Sequence, residues 1–169
     1  MEARISRKLG AMSLLSIGLF FVGAQKAVFA ADYNLGKPKL TLASNTFIFN
    51  PRSHSWKAVQ NGKVIKTGRA SGGSGYCRDI KRSCRTPTGT YRIISKGGPG
   101  CKSSRYPLGG GGAEMPYCMF FSKYYAIHGS NDVPSHNASH GCIRVHPGDA
   151  RWLNHNFMKI GSTVVVKPY

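Results

Sequence analysis

Before residue 147, almost no stretch of this chain spaces its apolar residues at helical intervals. Short alternating or β-branched runs stand there instead, separated by Gly, Pro, Asn and Ser. Residues 39–42 and 47–50 read as strands joined near Ser44-Asn45. Residues 56–60 and 63–67 flank Asn61-Gly62, a strong hairpin signal because both turn positions require positive φ. Residues 90–95, 119–121, 125–128 and 162–167 supply four more strands. One helix is expected from Pro147, with Asp149 in its first turn and Trp152, Leu153 and Phe157 on its apolar side, ending at Gly161. The fold class expected is therefore mostly β: a β-sandwich with one short C-terminal helix.

The first thirty residues do not fit that domain. Arg4, Arg7 and Lys8 precede a short apolar run, and Val28-Phe29-Ala30 ends on a small residue. This is the pattern of a signal peptide cleaved after Ala30, leaving no transmembrane anchor. The run is shorter than a bilayer span, and Gln25 and Lys26 interrupt it before the cut. A single domain is expected over residues 36–168, and the location in the periplasm or cell envelope.

The formal charge is +18, and loss of four cations and Glu2 with the leader lowers it by three. Such a surface attracts anionic envelope polymers through its long-range field, or simply keeps an exported protein soluble. Nucleic acid is not an expected partner. No basic face interleaved with aromatics is present, and the compartment is wrong.

Five cysteines in an oxidising compartment leave an odd one. Cys77, Cys84, Cys101 and Cys118 allow three pairings. The local pairing, Cys77 with Cys84 and Cys101 with Cys118, closes the shorter loops and is preferred. It would pin two glycine-rich segments, 71–75 and 97–112, read as mobile walls of a substrate groove.

The fifth cysteine stands in Ser139-His140-Gly141-Cys142-Ile143-Arg144, downstream of Ile127-His128-Gly129-Ser130. A cysteine beside glycine with imidazoles upstream is a common layout for a thiol nucleophile. This arrangement resembles the active-site signature of the L,D-transpeptidase (YkuD-type) family. Arg85-Thr86-Pro87-Thr88-Gly89-Thr90-Tyr91 resembles that family's Thr-Pro-x-Gly strand. Met115-Pro116-Tyr117 ahead of Phe120-Phe121 resembles the strand that leads to its histidine. The likeness spans residues 39–167.

The resemblance implies that Cys142 attacks a peptidoglycan stem peptide and forms a thioacyl-enzyme. The acyl group then passes to a neighbouring stem, to an envelope lipoprotein, or to water, which would make the protein an L,D-carboxypeptidase. It implies no metal and no organic cofactor. It makes His128 the base, oriented by the Gly129 carbonyl; in the sequence itself, Asp132 is the nearest acidic alternative. His140 is expected to shape the site, within the motif that Ser139 opens.

The residues themselves add roles. Gly141 allows close backbone approach, and the Gly141 and Cys142 amides are candidate oxyanion donors. Arg144, two residues past the thiol, shares its face on a strand and suits a substrate carboxylate. His54, His136, His146 and His155 read as surface or structural. The spacings of His128, His136, His140, Cys142 and His146, weighed as a zinc site, do not match a zinc finger or a His-Glu-x-x-His helix. The triplet at Asn137 is read as chance. A reading from another class, a surface adhesin or entry factor on the same fold, draws on the charge but leaves His128 and Cys142 unexplained.

Overall fold

In the computed structural model, the alternation of residues 45–71 becomes a meander of three antiparallel strands, β1 (Asn45–Asn50), β2 (Ser55–Gln60) and β3 (Lys63–Ser71). The structure describes residues 44–169, so the leader and the strand expected at 39–42 lie outside the described residues. Asn61 and Gly62 form the β2–β3 turn with φ of 50° and 80°. That left-handed pair matches the twist of the strands it joins. Phe47, Phe49, Trp56 and Ala58 alternate with less buried residues and are fully buried, and Phe47 stacks on Trp56 at 5.6 Å. Burying each of these large side chains contributes roughly 1.5–3 kcal/mol.

Six further strands complete one sheet: β4 (Gly89–Arg92), β5 (Ser95–Lys96), β6 (Met119–Phe120), β7 (Ala126–Gly129), β8 (Ile143–Val145) and β9 (Thr163–Val166). The strand order is β4-β9-β1-β2-β3-β8-β7-β6-β5. The pairs β1–β9 and β7–β8 are parallel, and the others are antiparallel. β3 pairs with β2 along most of its length and passes Ala70 and Ser71 to β8.

The two ends of this order are neighbours in sequence. The strand expected over 90–95 breaks at Ile93-Ile94. The Ile93 amide bonds to the Ser162 carbonyl beside β9, and the Ile94 amide to the Phe120 carbonyl of β6. Two residues therefore join both edges and curl the sheet around one core. Phe47, Trp56 and Val164 from one half meet Ile127, Ile143 and Val145 from the other. The mostly-β expectation with one short helix is borne out.

The helix is shorter than its pattern. α1 spans Pro147–Trp152, and a wider π turn follows over Leu153–Phe157, where the Met158 amide reaches the Leu153 carbonyl at 2.7 Å. The widened turn keeps Leu153 and Phe157 in the core. It also turns buried Asn154 toward the carbonyls of Gly97, Tyr117 and Cys118. Polar groups bury there only because they are paired. No helix among the described residues is long and apolar enough to cross a membrane.

The disulfides follow the local pairing, Cys77–Cys84 and Cys101–Cys118, and Cys142 is free. Each bridge contributes about 2–4 kcal/mol by restricting the unfolded chain. Thiol titration of denatured, unreduced protein is therefore expected to count one thiol. A count of five would show that neither bridge forms in the oxidised protein.

Candidate active site

The thiol and the upstream imidazole reach the same cavity because β7 and β8 are parallel neighbours. His128 sits opposite Arg144 in their register. Ile143 and Val145 point into the core, which turns Arg144, and Cys142 just before the strand, to the other side. Cys142, His128, His140, Ser139 and Arg144 line one cavity of about 250 Å³.

The loop bearing the thiol is held by its own hydroxyl. Ser139 Oγ donates to the Cys142 carbonyl at 2.5 Å and accepts from the Gly141 amide at 3.0 Å. Gly141 has φ of 122°, and a Cβ there would run into the Tyr125 ring. Only glycine fits that turn. Its amide is engaged, so the paired oxyanion donors expected from the sequence do not both stand free: the Gly141 N–H points back to Ser139.

A second segment braces this loop from behind. Thr86 Oγ1 donates to the Gly141 carbonyl at 2.8 Å and accepts from the Gly73 amide at 2.9 Å. Ser74 N donates to Ser139 O, and Ser139 N to Gly72 O. Gly73 lies so close to the Cys84 carbonyl that any Cβ would collide with it. Residues 71–75, expected as a groove wall, are thus a brace outside the cavity lining. The Thr-Pro piece has a physical use here: Thr86 fixes the carbonyl next to the thiol.

His128 is buried, and its Nδ1 lies 2.9 Å from the Gly129 carbonyl. A carbonyl only accepts, so Nδ1 carries the proton and Nε2 is left as the basic nitrogen. Burial pushes the imidazole down to about 4, against the bond to Gly129, and Arg144 pushes the same way. Burial also pushes the Cys142 thiol up, against the Ala126 backbone and Arg144. The thiol faces the Tyr124 carbonyl, with Sγ 3.9 Å from the oxygen. The resting pair is therefore a neutral thiol and a neutral imidazole. Such a pair can attack a carbonyl with concerted proton removal by the imidazole, without a standing thiolate.

Asp132, the acidic alternative for orienting His128, is occupied elsewhere. It holds Arg144 Nη1 at 2.6 Å. Arg144 is thus already paired at the position where a substrate carboxylate was expected.

The outer wall comes from the segment closed by Cys101–Cys118. Lys102, Arg105, Tyr106 and Glu114 line the cavity from it, and Lys123 and Tyr124 face them. Arg105 lies 5.6 Å from the Tyr124 ring centroid and Lys123 lies 5.2 Å from it, within cation–π range. Periodicity missed these residues because the segment is irregular; its density of Lys, Arg and Tyr was the available signal. Asp79 was also missed. It bonds His140 Nε2 at 2.8 Å from 61 residues away.

The five-residue set weighed for zinc does not gather. His136 and His146 are exposed and outside the cavity lining. Cys77, Cys84 and His140 approach one another, but the two sulfurs are bonded together.

The family model of the L,D-transpeptidase catalytic domain (YkuD) matches residues 44–166. The chain belongs to that family. No curated protein matches it. Among solved structures, it is similar to an L,D-transpeptidase from Xylanimonas cellulosilytica, at 26% identity and a TM-score of 0.63, covering 75% of this chain and 62% of that one. An L,D-transpeptidase from Mycobacterium smegmatis follows at 19% identity and a TM-score of 0.61, with 75% and 59% covered. L,D-transpeptidase 3 from Mycobacterium tuberculosis, in complex with a faropenem-derived adduct, gives 19% identity and a TM-score of 0.60, with 75% and 61% covered. The chain thus spans less than two thirds of the length of each of these structures.

Proposed function

We propose that this protein is an exported L,D-transpeptidase of peptidoglycan that works through a thioacyl-enzyme at Cys142. The observation that carries the reading is a free thiol and a neutral, carbonyl-oriented imidazole lining one cleft, in a chain of this family. The donor is a stem peptide cut after its third residue. Cys142 Sγ bonds to the carbonyl carbon while His128 Nε2 takes the thiol proton. The Cys142 amide is the motif donor left for the oxyanion, since the Gly141 amide is engaged. The intermediate collapses with cleavage of the C–N bond. The imidazolium returns its proton to the leaving D-alanine amine, and a thioester remains. An acceptor amine then attacks the thioester while His128 Nε2 takes a proton from it, and the sulfur leaves as the imidazolium passes that proton to it.

Lys102, Arg105 and Lys123 around the cleft favour a donor with free carboxylates, and Arg144 is already held by Asp132. The wider positive surface suits anionic envelope polymers as a sequence-independent attraction. Mass spectrometry of purified protein with muropeptides tests the reaction. Loss of terminal D-alanine with a crosslinked product is expected; a tripeptide alone assigns water as acceptor. Unchanged muropeptides would overturn the reading.

Export is part of the proposal. The charged, apolar and small-residue order of residues 1–30 supports a mature chain beginning at Ala31. N-terminal sequencing of envelope-fraction protein should read Ala31. Recovery of the chain with Met1 and the apolar run intact would contradict it.

A further inference from the structure

In the thiol loop, the His140 imidazole is gripped from two sides. On one side, Asp79 Oδ2 accepts from its Nε2 at 2.8 Å. On the other, the Tyr106 ring lies with its centroid 4.4 Å from that of the imidazole. Asp79 sits inside the eight-residue ring closed by Cys77–Cys84, and Tyr106 inside the longer ring closed by Cys101–Cys118. The smaller ring folds tightly, with Cys77 and Arg82 exchanging backbone bonds across it. Cys84 N also bonds Ser74 O, within the brace behind the thiol loop. The disulfide thus fixes Asp79 against the same loop that the brace fixes. A carboxylate can only accept, so His140 carries its proton on Nε2 and turns Nδ1 away from Asp79.

We propose that Asp79 is a positioning residue for the reaction at Cys142. It acts through His140, whose tautomer and orientation it sets, and the Cys77–Cys84 bridge holds it there. Tyr106 rests on the oriented imidazole, so the same pair seats the outer wall of the cleft. This gives the smaller disulfide a task at the site beyond stability. The inference rests on the thioacyl reading of Cys142, and the experiment separates the two.

The test measures the rate of Cys142 acylation by a carbapenem, followed by intact mass. The proteins are the wild type, Asp79→Ala, Asp79→Asn, His140→Ala, the Asp79→Ala/His140→Ala double variant and the Cys77→Ser/Cys84→Ser double variant. Partners that orient a site residue from behind are commonly worth 10–100-fold, so Asp79→Ala is expected to slow acylation by about 10-fold. Asp79→Asn keeps an oxygen acceptor for Nε2–H and should recover most of that loss. In the His140→Ala background, Asp79→Ala should cost nothing further, because its route to the site is gone. The bridge-free variant should slow acylation to the same extent as Asp79→Ala. Nitrogen-15 spectra of the His140 ring should show the Nε2–H form in wild type and a mixture of tautomers in Asp79→Ala, a change that loosening of the fold alone does not make. An Asp79→Ala rate equal to wild type, or an equal further loss in the His140→Ala background, would overturn the inference while leaving the thioacyl reading intact. A wild-type protein that takes no adduct would instead sink the thioacyl reading, and the inference with it.

Discussion

Cys142→Ala is expected to reduce turnover of muropeptides to background and to leave the protein folded. The thiol is half-buried and its neighbour is the Tyr124 carbonyl at a long 3.9 Å, so alanine removes no strong contact. What it removes is the atom that, in the proposed mechanism, bonds to the acyl group. Serine in the same place restores little. A hydroxyl is harder to ionise than a thiol, and the base beside it is an imidazole that burial has already weakened. Activity is read as release of D-alanine, and folding as the thermal midpoint. Full turnover by Cys142→Ala would end the thiol mechanism and move attention to metal analysis.

His128→Ala is expected to slow acylation by about 100-fold or more, the usual scale for losing a general base. Its effect on folding is modest, because the ring bonds only the adjacent Gly129 carbonyl. The pH dependence carries the more particular signature. His128 titrates near 4 rather than at its ordinary 6.5. The free base thus persists well below neutrality, and the acid limb of kcat/KM should fall near 4 to 5 in wild type. The same shift bears on stability. The unfolded chain binds a proton at His128 below about 6.5, and the folded chain binds it only near 4. Stability from this residue is therefore full above 6.5 and is lost as pH falls toward 4. The shift amounts to about 3 kcal/mol. An acid limb centred on 6.5 would contradict a buried neutral imidazole. His140→Ala should hurt less than His128→Ala, and the reverse order would exchange their roles.

The local parts of this molecule were legible in its sequence. Asn61-Gly62 specified the β2–β3 turn because its chemistry is confined to two residues. The alternation of Phe47 and Phe49 marked the core face of β1. Loop length favoured the local disulfide pairing but left the other two pairings open. Other features depend on residues that meet only in the fold. The strand expected over 90–95 is split because Ile93 and Ile94 take partners from opposite sheet edges, which periodicity along one strand cannot encode. The C-terminal helix widens after Trp152 because Asn154 must reach carbonyls near residues 97–118. At the site, the motif named Cys142 and His128 by residue type and order. It could not show that Gly141 N–H is engaged by Ser139, that Asp132 turns to Arg144, or that Asp79 reaches His140 across 61 residues.

The central claim is that Cys142 is an acylable nucleophile served by His128. A carbapenem, which resembles the acyl donor's terminus, is the direct probe. Mass spectrometry of the intact protein after incubation should show a single adduct, and peptide mapping should place it on the peptide carrying Ser139-His140-Gly141-Cys142. An adduct on any other residue, or one that persists in Cys142→Ala, would contradict the account.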